Sequence, residues 1–87
     1  MINSPTTLTV VVRNREKVLY SGNAYALSSV NDRGIFDILP SHENFISLIK
    51  EKVIIHKTQK DEKEIQIENG IVRVYKDNVY IYVNFKS

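Results

Sequence analysis

Apolar side chains recur at every second position along most of this chain, and this period constrains the fold more than any other feature. Leu8, Val10 and Val12 alternate with other residues near the start of the chain, and Val79 and Ile81 alternate with tyrosines near its end. A period of two is typical of β-strands that bury one face. Helical periodicity is absent, so the sequence predicts an all-β protein.

Turn signals divide the chain into short predicted strands. Gly22 predicts a bulge or bend inside the second strand. Asn69-Gly70 is the strongest hairpin signal, and Asp77 with Asn78 predicts the last turn. The predicted strands cover residues 7–13, 18–30, 34–39, 45–49, 52–56, 65–68, 71–76 and 78–84. One open sheet cannot cover so many apolar faces, which predicts a small two-sheet β-sandwich or flattened barrel of about eight to ten short, mostly antiparallel strands.

Length and composition narrow the class of protein. We expect the 87 residues, 1–87, to form a single domain. The 12 Lys and Arg against 10 Asp and Glu give a charge of +2 without clustering, too little to attract nucleic acid. There is no cysteine, which excludes disulfides and thiolate metal sites and fits a reducing compartment. No segment approaches the roughly 20 apolar residues of a spanning helix, so we expect neither export nor direct membrane insertion.

The residue types that often carry catalysis are present but badly placed for it. Ser41, His42 and Glu43 are adjacent, whereas a catalytic triad draws its members from separated elements because consecutive side chains diverge. His42 and His56 lack the paired spacing of a zinc site. We therefore expect no catalytic residue, no cofactor and no metal. His56 is expected to face solvent, and His42 to bond to the backbone of its own loop.

Three tyrosines near the C-terminus leave an alternative open. Tyr75, Tyr80 and Tyr82 lie near Arg73 and Lys76, and aromatic rings beside cations can stack the bases of single-stranded nucleic acid. Tyrosine equally suits strand packing or a protein interface. Because the net charge is low, we do not predict nucleic acid as a partner.

The segment "GIFDILPSHENF", residues 34–45, is more apolar than a loop region requires. Six large apolar residues flank its polar centre: Ile35, Phe36, Ile38, Leu39, Phe45 and Ile46. A domain this small cannot bury all of them, and an apolar patch with a polar rim marks a docking site. The residues alone therefore predict a β-sandwich interaction module and do not name its partner.

Four segments match, in order, the motifs of one known family. "LTVVVRNREKVLYSGNAYAL" is similar to the opening strand, the turn and the aromatic-x-Gly strand of that family. "GIFDILPSHENFISLI" resembles its signature, with Gly34, Ile38, Leu39, Pro40 and His42 in register. "VIIHK" and "IENGIVRVYKDNVYIYV" match the later strands. The chain thus resembles, from residue 8 to residue 83, the N-terminal β-sandwich domain of the epsilon subunit of F-type ATP synthases.

The chain departs from the family pattern at three glycine positions and at its end. Asp37, Ser41 and Asn69 stand where the family has glycine. Asn69 is a mild change because asparagine tolerates a left-handed backbone, whereas Asp37 adds a charge that we expect to retune the partner contact. The printed sequence ends at Ser87 without the C-terminal helical pair of the family. Inhibition of ATP hydrolysis and binding of ATP, which are associated with that pair, are not carried over.

The resemblance implies a non-catalytic rotor subunit of the central stalk, which links the gamma subunit to the c-ring for proton- or sodium-driven ATP synthesis. It implies a cytoplasmic location, peripheral on the inner face of the cell membrane, and we expect the isolated domain to be monomeric. The alternative is a free-standing β-sandwich interaction module outside ATP synthase. The residues expected to contact gamma or the c-ring are Asn31, Asp32, Arg33, Gly34, Ile35, Phe36, Asp37, Pro40, Ser41, His42, Glu43 and Asn44.

Overall fold

The structure is a computed structural model that describes residues 7–41 and 43–85. In these ranges the regular elements are seven strands: β1 (Leu8–Arg13), β2 (Val18–Ala24), β3 (Ala26–Asn31), β4 (Gly34–Ile38), β5 (Phe45–His56), β6 (Glu62–Tyr75) and β7 (Asn78–Asn84). None of the described residues belongs to a helix with the length and apolar character needed to cross a membrane. The all-β prediction is confirmed.

The seven described strands form one hydrogen-bonded sheet in the order β2-β1-β7-β6-β5-β3-β4. Strands β1 and β7 run parallel, while the other pairings between described strands are antiparallel. The prediction of mostly antiparallel strands is therefore confirmed. The two edges of the sheet are β2 and β4.

The sheet folds over on itself and encloses one core. The ammonium of Lys63 on β6 lies 3.5 Å from the carbonyl oxygen of Leu19 on β2, although β1 and β7 separate these two strands in the sheet. All seven strands contribute buried residues to a single cluster: Leu8, Val10, Val12, Ala24, Leu27, Ile38, Ile49, Val53, Ile55, Ile67, Val72, Val74, Val79, Ile81 and Val83. Burying such aliphatic area supplies most of the stability of a small domain, and the shared core makes the sheet sandwich-like.

In the strands with alternating sequence, the side chains point to the sides that the sequence predicts. On β7, Val79, Ile81 and Val83 are buried, while Tyr80 and Tyr82 are exposed. The same alternation holds on β1 and on the second half of β5. A period of two is reliable in these strands because only one of their faces is covered.

Strands β5 and β6 are longer than predicted, so the described strands number seven. Lys50 pairs with Asn69 and Lys52 pairs with Gln66, which leaves one extra residue on β6 at that point. This irregularity is a β-bulge, and Glu51 opposite it has a φ of 70°. The extra residue changes which positions of β6 face the core. Both β5 and β6 continue through a site at which the sequence predicts the end of a strand.

The hairpin predicted at Asn69-Gly70 is wrong, because both residues lie inside β6. Glycine is needed there for a different reason. A Cβ on Gly70 would lie 2.5 Å from the carbonyl oxygen of Tyr82 on β7, well inside van der Waals contact. The dipeptide therefore permits a close approach of two backbones and does not form a turn.

Two other predicted breaks are displaced along the chain. Gly22 pairs regularly with Val10, and the interruption between β2 and β3 falls at Tyr25. The amide of Tyr25 donates to the carbonyl of His56 at 3.0 Å, which fixes this bend. In the last turn the left-handed residues are Lys76, with φ 48°, and Asp77, with φ 64°, one position earlier than predicted.

Candidate partner-binding site

The first part of the predicted partner-binding segment forms a hairpin at one edge of the sheet. Asn31 on β3 pairs with Gly34 on β4, and Asp32 with Arg33 forms the turn between them. The amide of Arg33 donates to the side-chain oxygen of Asn31 at 2.9 Å. Gly34 has a φ of 112°, which residues with a Cβ rarely adopt. Because β4 is an edge strand, this hairpin presents unpaired backbone groups as well as side chains to the surroundings.

The apolar side chains of this segment divide into two sets. Ile35 is 72% exposed and Leu39 is 53% exposed. Phe36 is half-buried against the core, and its ring meets the ring of Phe45 edge-on at a centroid distance of 6.1 Å. Ile38 is fully buried. The accessible apolar area therefore comes from Ile35 and Leu39, while Phe36 contributes mainly to folding.

The second part of the segment is held against the turn between β6 and β7. The amide of Ser41 donates to the carboxylate of Asp77 at 2.6 Å, and the amide of Lys76 donates to the side-chain oxygen of Asn44 at 2.8 Å. Pro40 is half-buried, and Glu43 is exposed. His42 lies outside the described residues. The structure thus places the predicted site along the edge strand β4, which carries residues 34–37 of it, and at the two ends of that strand, about 16 Å apart for five residues.

Asp37 belongs to a polar cluster that sequence reasoning did not find. The hydroxyl of Ser28 donates to Asp37 at 2.5 Å, and Ser28 Oγ lies 2.8 Å from His56 Nε2. On the other side of the ring, His56 Nδ1 lies 3.1 Å from Glu62. The side chain of His56 is only 21% exposed. His56 therefore lies on the outward side of β5, as predicted, but it is half-buried and not freely open to solvent, because Ser28 of β3 contacts the edge of its ring.

This cluster contains a serine, a histidine and an acid, but its proton arrangement differs from that of a nucleophile. The single hydroxyl proton of Ser28 goes to Asp37, so Ser28 Oγ is left to accept from His56 Nε2. In a catalytic serine the imidazole takes the proton instead. The cluster joins β3, β4, β5 and β6, and among the described residues no group of three or more His, Asp or Glu is placed to hold a metal ion.

A second exposed surface lies on the outer side of β1, β7, β6 and β5. We call it the outer face and define it by eight residues: Val11, Arg13, Ile46, Leu48, Ile71, Arg73, Tyr80 and Tyr82. The sequence singled out its two tyrosines and Arg73, and Ile46 as part of a different apolar segment, but it did not join them into one surface, because the strand order that does so is not local. The signal that the sequence did contain is the alternation along each strand, which predicts which side chains point away from the core.

The fold and its surfaces define a small all-β protein of the sandwich class, with a protruding edge hairpin and a broad outer face. The family model for the ATP synthase, Delta/Epsilon chain, beta-sandwich domain matches residues 7–85. The chain belongs to this family, which confirms the resemblance read from the sequence motifs.

A curated relative supports the same conclusion. The chain is 34% identical over 71 residues to the ATP synthase epsilon chain of Leptospira borgpetersenii serovar Hardjo-bovis (strain JB197). The alignment covers 82% of this chain and 55% of that relative. The chain therefore spans about half the length of the curated relative it matches.

Solved structures share the fold at low sequence identity. One is a chain in the Euglena gracilis mitochondrial ATP synthase, OSCP/F1/c-ring, with a TM-score of 0.84, 14% identity and coverage of 93% of this chain and 52% of that one. Another is a chain in the Tetrahymena thermophila mitochondrial ATP synthase central stalk/c-ring, with a TM-score of 0.74, 13% identity and coverage of 94% and 66%. At these identities the similarity establishes the fold.

Proposed function

We propose that this chain is a central-stalk rotor subunit of an F-type ATP synthase, where it links the gamma subunit to the c-ring and supplies no catalytic group of its own. The family match over residues 7–85 is the observation that carries this proposal. The relative named as an ATP synthase epsilon chain, and the structural match from a central stalk/c-ring assembly, support it. In this role the subunit is peripheral on the inner face of the cell membrane.

A subunit that transmits torque must deform little, and the fold suits that requirement. The core side chains of β1, β3, β5 and β7 include many with no exposed surface, and such close-packed interiors resist compression. The hydrogen bonds from Ser41 to Asp77 and from Lys76 to Asn44 stiffen the end of the molecule beside β4. We further propose that residues 1–87 fold as one cooperative unit.

The edge hairpin is the proposed contact with the rotor partners. Ile35 offers apolar area, and Asp32 and Arg33 place opposite charges beside it. Charges at the rim of an interface select register and partner more than they add affinity. A stable contact buries about 1,600 Å² in total, more than a hairpin tip offers, so the contact also includes the loop 40–44 at the other end of β4.

The test is incorporation into a rotor reconstituted from purified gamma subunit and c-ring. Ile35→Asp places a charge on the exposed hairpin and is expected to reduce incorporation by about 10-fold or more. Val18→Asp is the matched control, since Val18 is 49% exposed on β2 at the opposite edge, and it is expected to incorporate like the wild type. Equal incorporation of both variants would place the contact elsewhere.

Co-purification from native membranes tests the proposal against the free-standing interaction module. A tagged chain is expected to bring gamma and c subunits into the eluate in stoichiometric amounts. An eluate that contains a different partner and lacks both subunits would favour the free-standing module and overturn the rotor proposal.

A further inference from the structure

Four polar side chains form a row across four neighbouring strands. Asp37 on β4 is paired with Ser28 on β3, and His56 on β5 is paired with Glu62 on β6. Ser28 Oγ lies 2.8 Å from His56 Nε2, which joins the two pairs into one row. We call these four residues the polar row. No two of them are adjacent in the chain, so the fold alone brings them together.

The polar row contains three contacts, and each of them needs a proton between its two atoms. Ser28 Oγ lies 2.5 Å from Asp37 and 2.8 Å from His56 Nε2. The other ring nitrogen, Nδ1, lies 3.1 Å from Glu62. An ionised carboxylate only accepts hydrogen bonds, whereas a hydroxyl and a neutral imidazole donate one proton each. With a neutral ring, two protons therefore serve three contacts, and one contact sets two lone pairs against each other in either tautomer.

A doubly protonated ring completes all three contacts. In the imidazolium form both nitrogens donate, Nε2 to Ser28 and Nδ1 to Glu62, while the Ser28 hydroxyl donates to Asp37. Imidazole is a stronger base than a carboxylate or a hydroxyl, so the additional proton belongs on the ring of His56. The row then has a cation between two carboxylates, and opposite charges at these distances attract each other.

The other groups around the ring of His56 leave this arrangement in place. Glu62 contacts the ring from β6, and the second acid of the row reaches it from β4 through the serine hydroxyl. Tyr25 packs against the ring at a centroid distance of 5.9 Å, and a phenol carries no charge near neutral pH. The ammonium of Lys57, the next residue in the chain, lies over the ring of Tyr20, 5.6 Å from its centre. The contacts of the ring toward β4 and toward β6 thus both end in carboxylates.

Release of the additional proton opens the outermost contact of the row. Glu62 is 60% exposed, so water can solvate its carboxylate once Nδ1 has no proton to donate. Ser28 is 7% exposed, and its hydroxyl has little access to water in exchange for the bonds it makes. The inner contacts therefore persist while the contact between His56 and Glu62 is lost. These two residues are the last pair of β5 and β6 before the connection at residues 57–61, so the opening begins at that end of the sheet.

We propose that the polar row is a proton-linked latch, which is closed when the row holds one additional proton and opens between β5 and β6 when that proton is released. The consequence is a domain that is more stable on the acidic side of neutral pH. The folded chain holds a proton that the unfolded chain releases, so the free energy of unfolding falls as the pH rises. The latch is a property of the chain by itself and does not depend on the rotor.

Urea unfolding of the full chain at about pH 6.5 and about pH 8, a range in which free imidazole loses its proton, tests the latch. The wild-type unfolding equilibrium constant is expected to rise between these values by about threefold more than that of Glu62→Gln, since a difference of one bound proton changes it by at most about 10-fold per pH unit. The glutamine amide donates to Nδ1 and completes the row with a neutral ring. Other titrating groups are common to both chains, so their contribution cancels in the comparison.

Asp37→Asn tests the same count of protons from the other end of the row. The asparagine amide donates to Ser28, whose hydroxyl then donates to His56, so the neutral ring again suffices. This variant is expected to lose the same pH dependence, and it decides the test if Glu62→Gln does not fold. Glu68→Gln, at an exposed position of β6 outside the row, is the matched control and is expected to keep the wild-type pH dependence.

Nitrogen NMR of the His56 ring gives an independent measurement. At neutral pH a larger fraction of the rings is expected to carry two N–H protons in the wild type than in Glu62→Gln. The proposal is overturned if these fractions are equal, if the wild type and both row variants share one pH dependence, or if only one of the two folded variants loses it. Each of these results leaves the rotor proposal unaffected, because the measurements use the chain without partners.

Discussion

Strands β3 and β7 are both interior strands of the sheet, yet they are covered in different ways. On β7 every second residue is buried and the residues between are exposed or half-buried. On β3 the five residues from Ala26 to Val30 are all buried. Leu27 and Ser29 face one way, whereas Ser28 faces the other and meets Asp37 and His56. Strand β7 thus keeps an outer face open, and the chain closes the outer side of β3 itself.

This difference indicates where partners can bind. A strand face closed by hydrogen bonds between the chain's own side chains offers nothing to a second protein without breaking them. The outer face beside β7 offers tyrosine, arginine and aliphatic area that no described part of the chain covers. The edge strand β4 offers the hairpin. The hairpin tip at Asp32 and Arg33 lies beside Leu48 of the outer face, so the surface open to partners is continuous there and does not include the Ser28 cluster.

The largest expected effect tests whether one face of β7 supports the core while the other contributes little to stability. Ile81 is 1% exposed and Tyr82 is 40% exposed. Ile81→Ala is expected to lower the free energy of unfolding by about 3 kcal/mol, since it leaves a cavity in the core. Tyr82→Ala is expected to lower it by less than about 1 kcal/mol. Urea unfolding followed by circular dichroism measures both, and equal losses would show that the outer face is part of the fold.

A smaller effect tests whether the cluster on β3 holds the structure. Ser28 is 7% exposed, and Ser28→Ala removes the partner shared by Asp37 and His56. We expect a loss of about 1 to 2 kcal/mol in the free energy of unfolding. Ser21→Ala on β2 is the exposed control and is expected to change it by less than about 0.5 kcal/mol. If both variants unfold alike, the cluster contributes nothing and β3 resembles β7.

The smallest expected effect concerns the contact between His56 and Glu62 at the outer end of the cluster. Glu62 is 60% exposed in its contact with His56, so solvent screens the pair. Glu62→Gln is expected to lower the free energy of unfolding by less than about 0.5 kcal/mol. Glu68→Gln, at another exposed position of β6, is the matched control. If Glu62→Gln lowers the free energy of unfolding more than Ser28→Ala does, the contact between Glu62 and His56 contributes more to stability than the hydrogen bonds of Ser28.

The contrast between β7 and β3 also explains how much of the fold could be predicted from the sequence. The alternation on β7 reads directly from the sequence because solvent covers one face. Strand β3 has no alternation to read, so its start was placed within residues 18–30 and the bend at Tyr25 was missed. Asn69-Gly70 satisfies a local hairpin rule, but the approach of Tyr82 that gives Gly70 its role comes from a partner strand. Local sequence signals fail at positions where the pairing with another strand determines the conformation of the backbone.

The candidate site was predictable to a similar extent. Family motifs placed the partner-binding residues on one segment, and in the structure this segment follows the edge strand β4 from the hairpin at one end to Ser41 at the other. The role of Asp37 could not be read from the sequence, because Ser28 and His56 reach it from β3 and β5. The outer face was missed for the same reason, since the strand order brings its residues together.

Hydrogen exchange of the chain, alone and bound to the gamma and c-ring complex, tests the central claim most directly. The two edges of the sheet, β4 and β2, serve as test and internal control. If the edge hairpin is the rotor contact, amide exchange over residues 31–38 slows by about 10-fold or more on binding, while exchange over residues 18–24 stays unchanged. Protection of residues 18–24 with none at residues 31–38 would contradict the account.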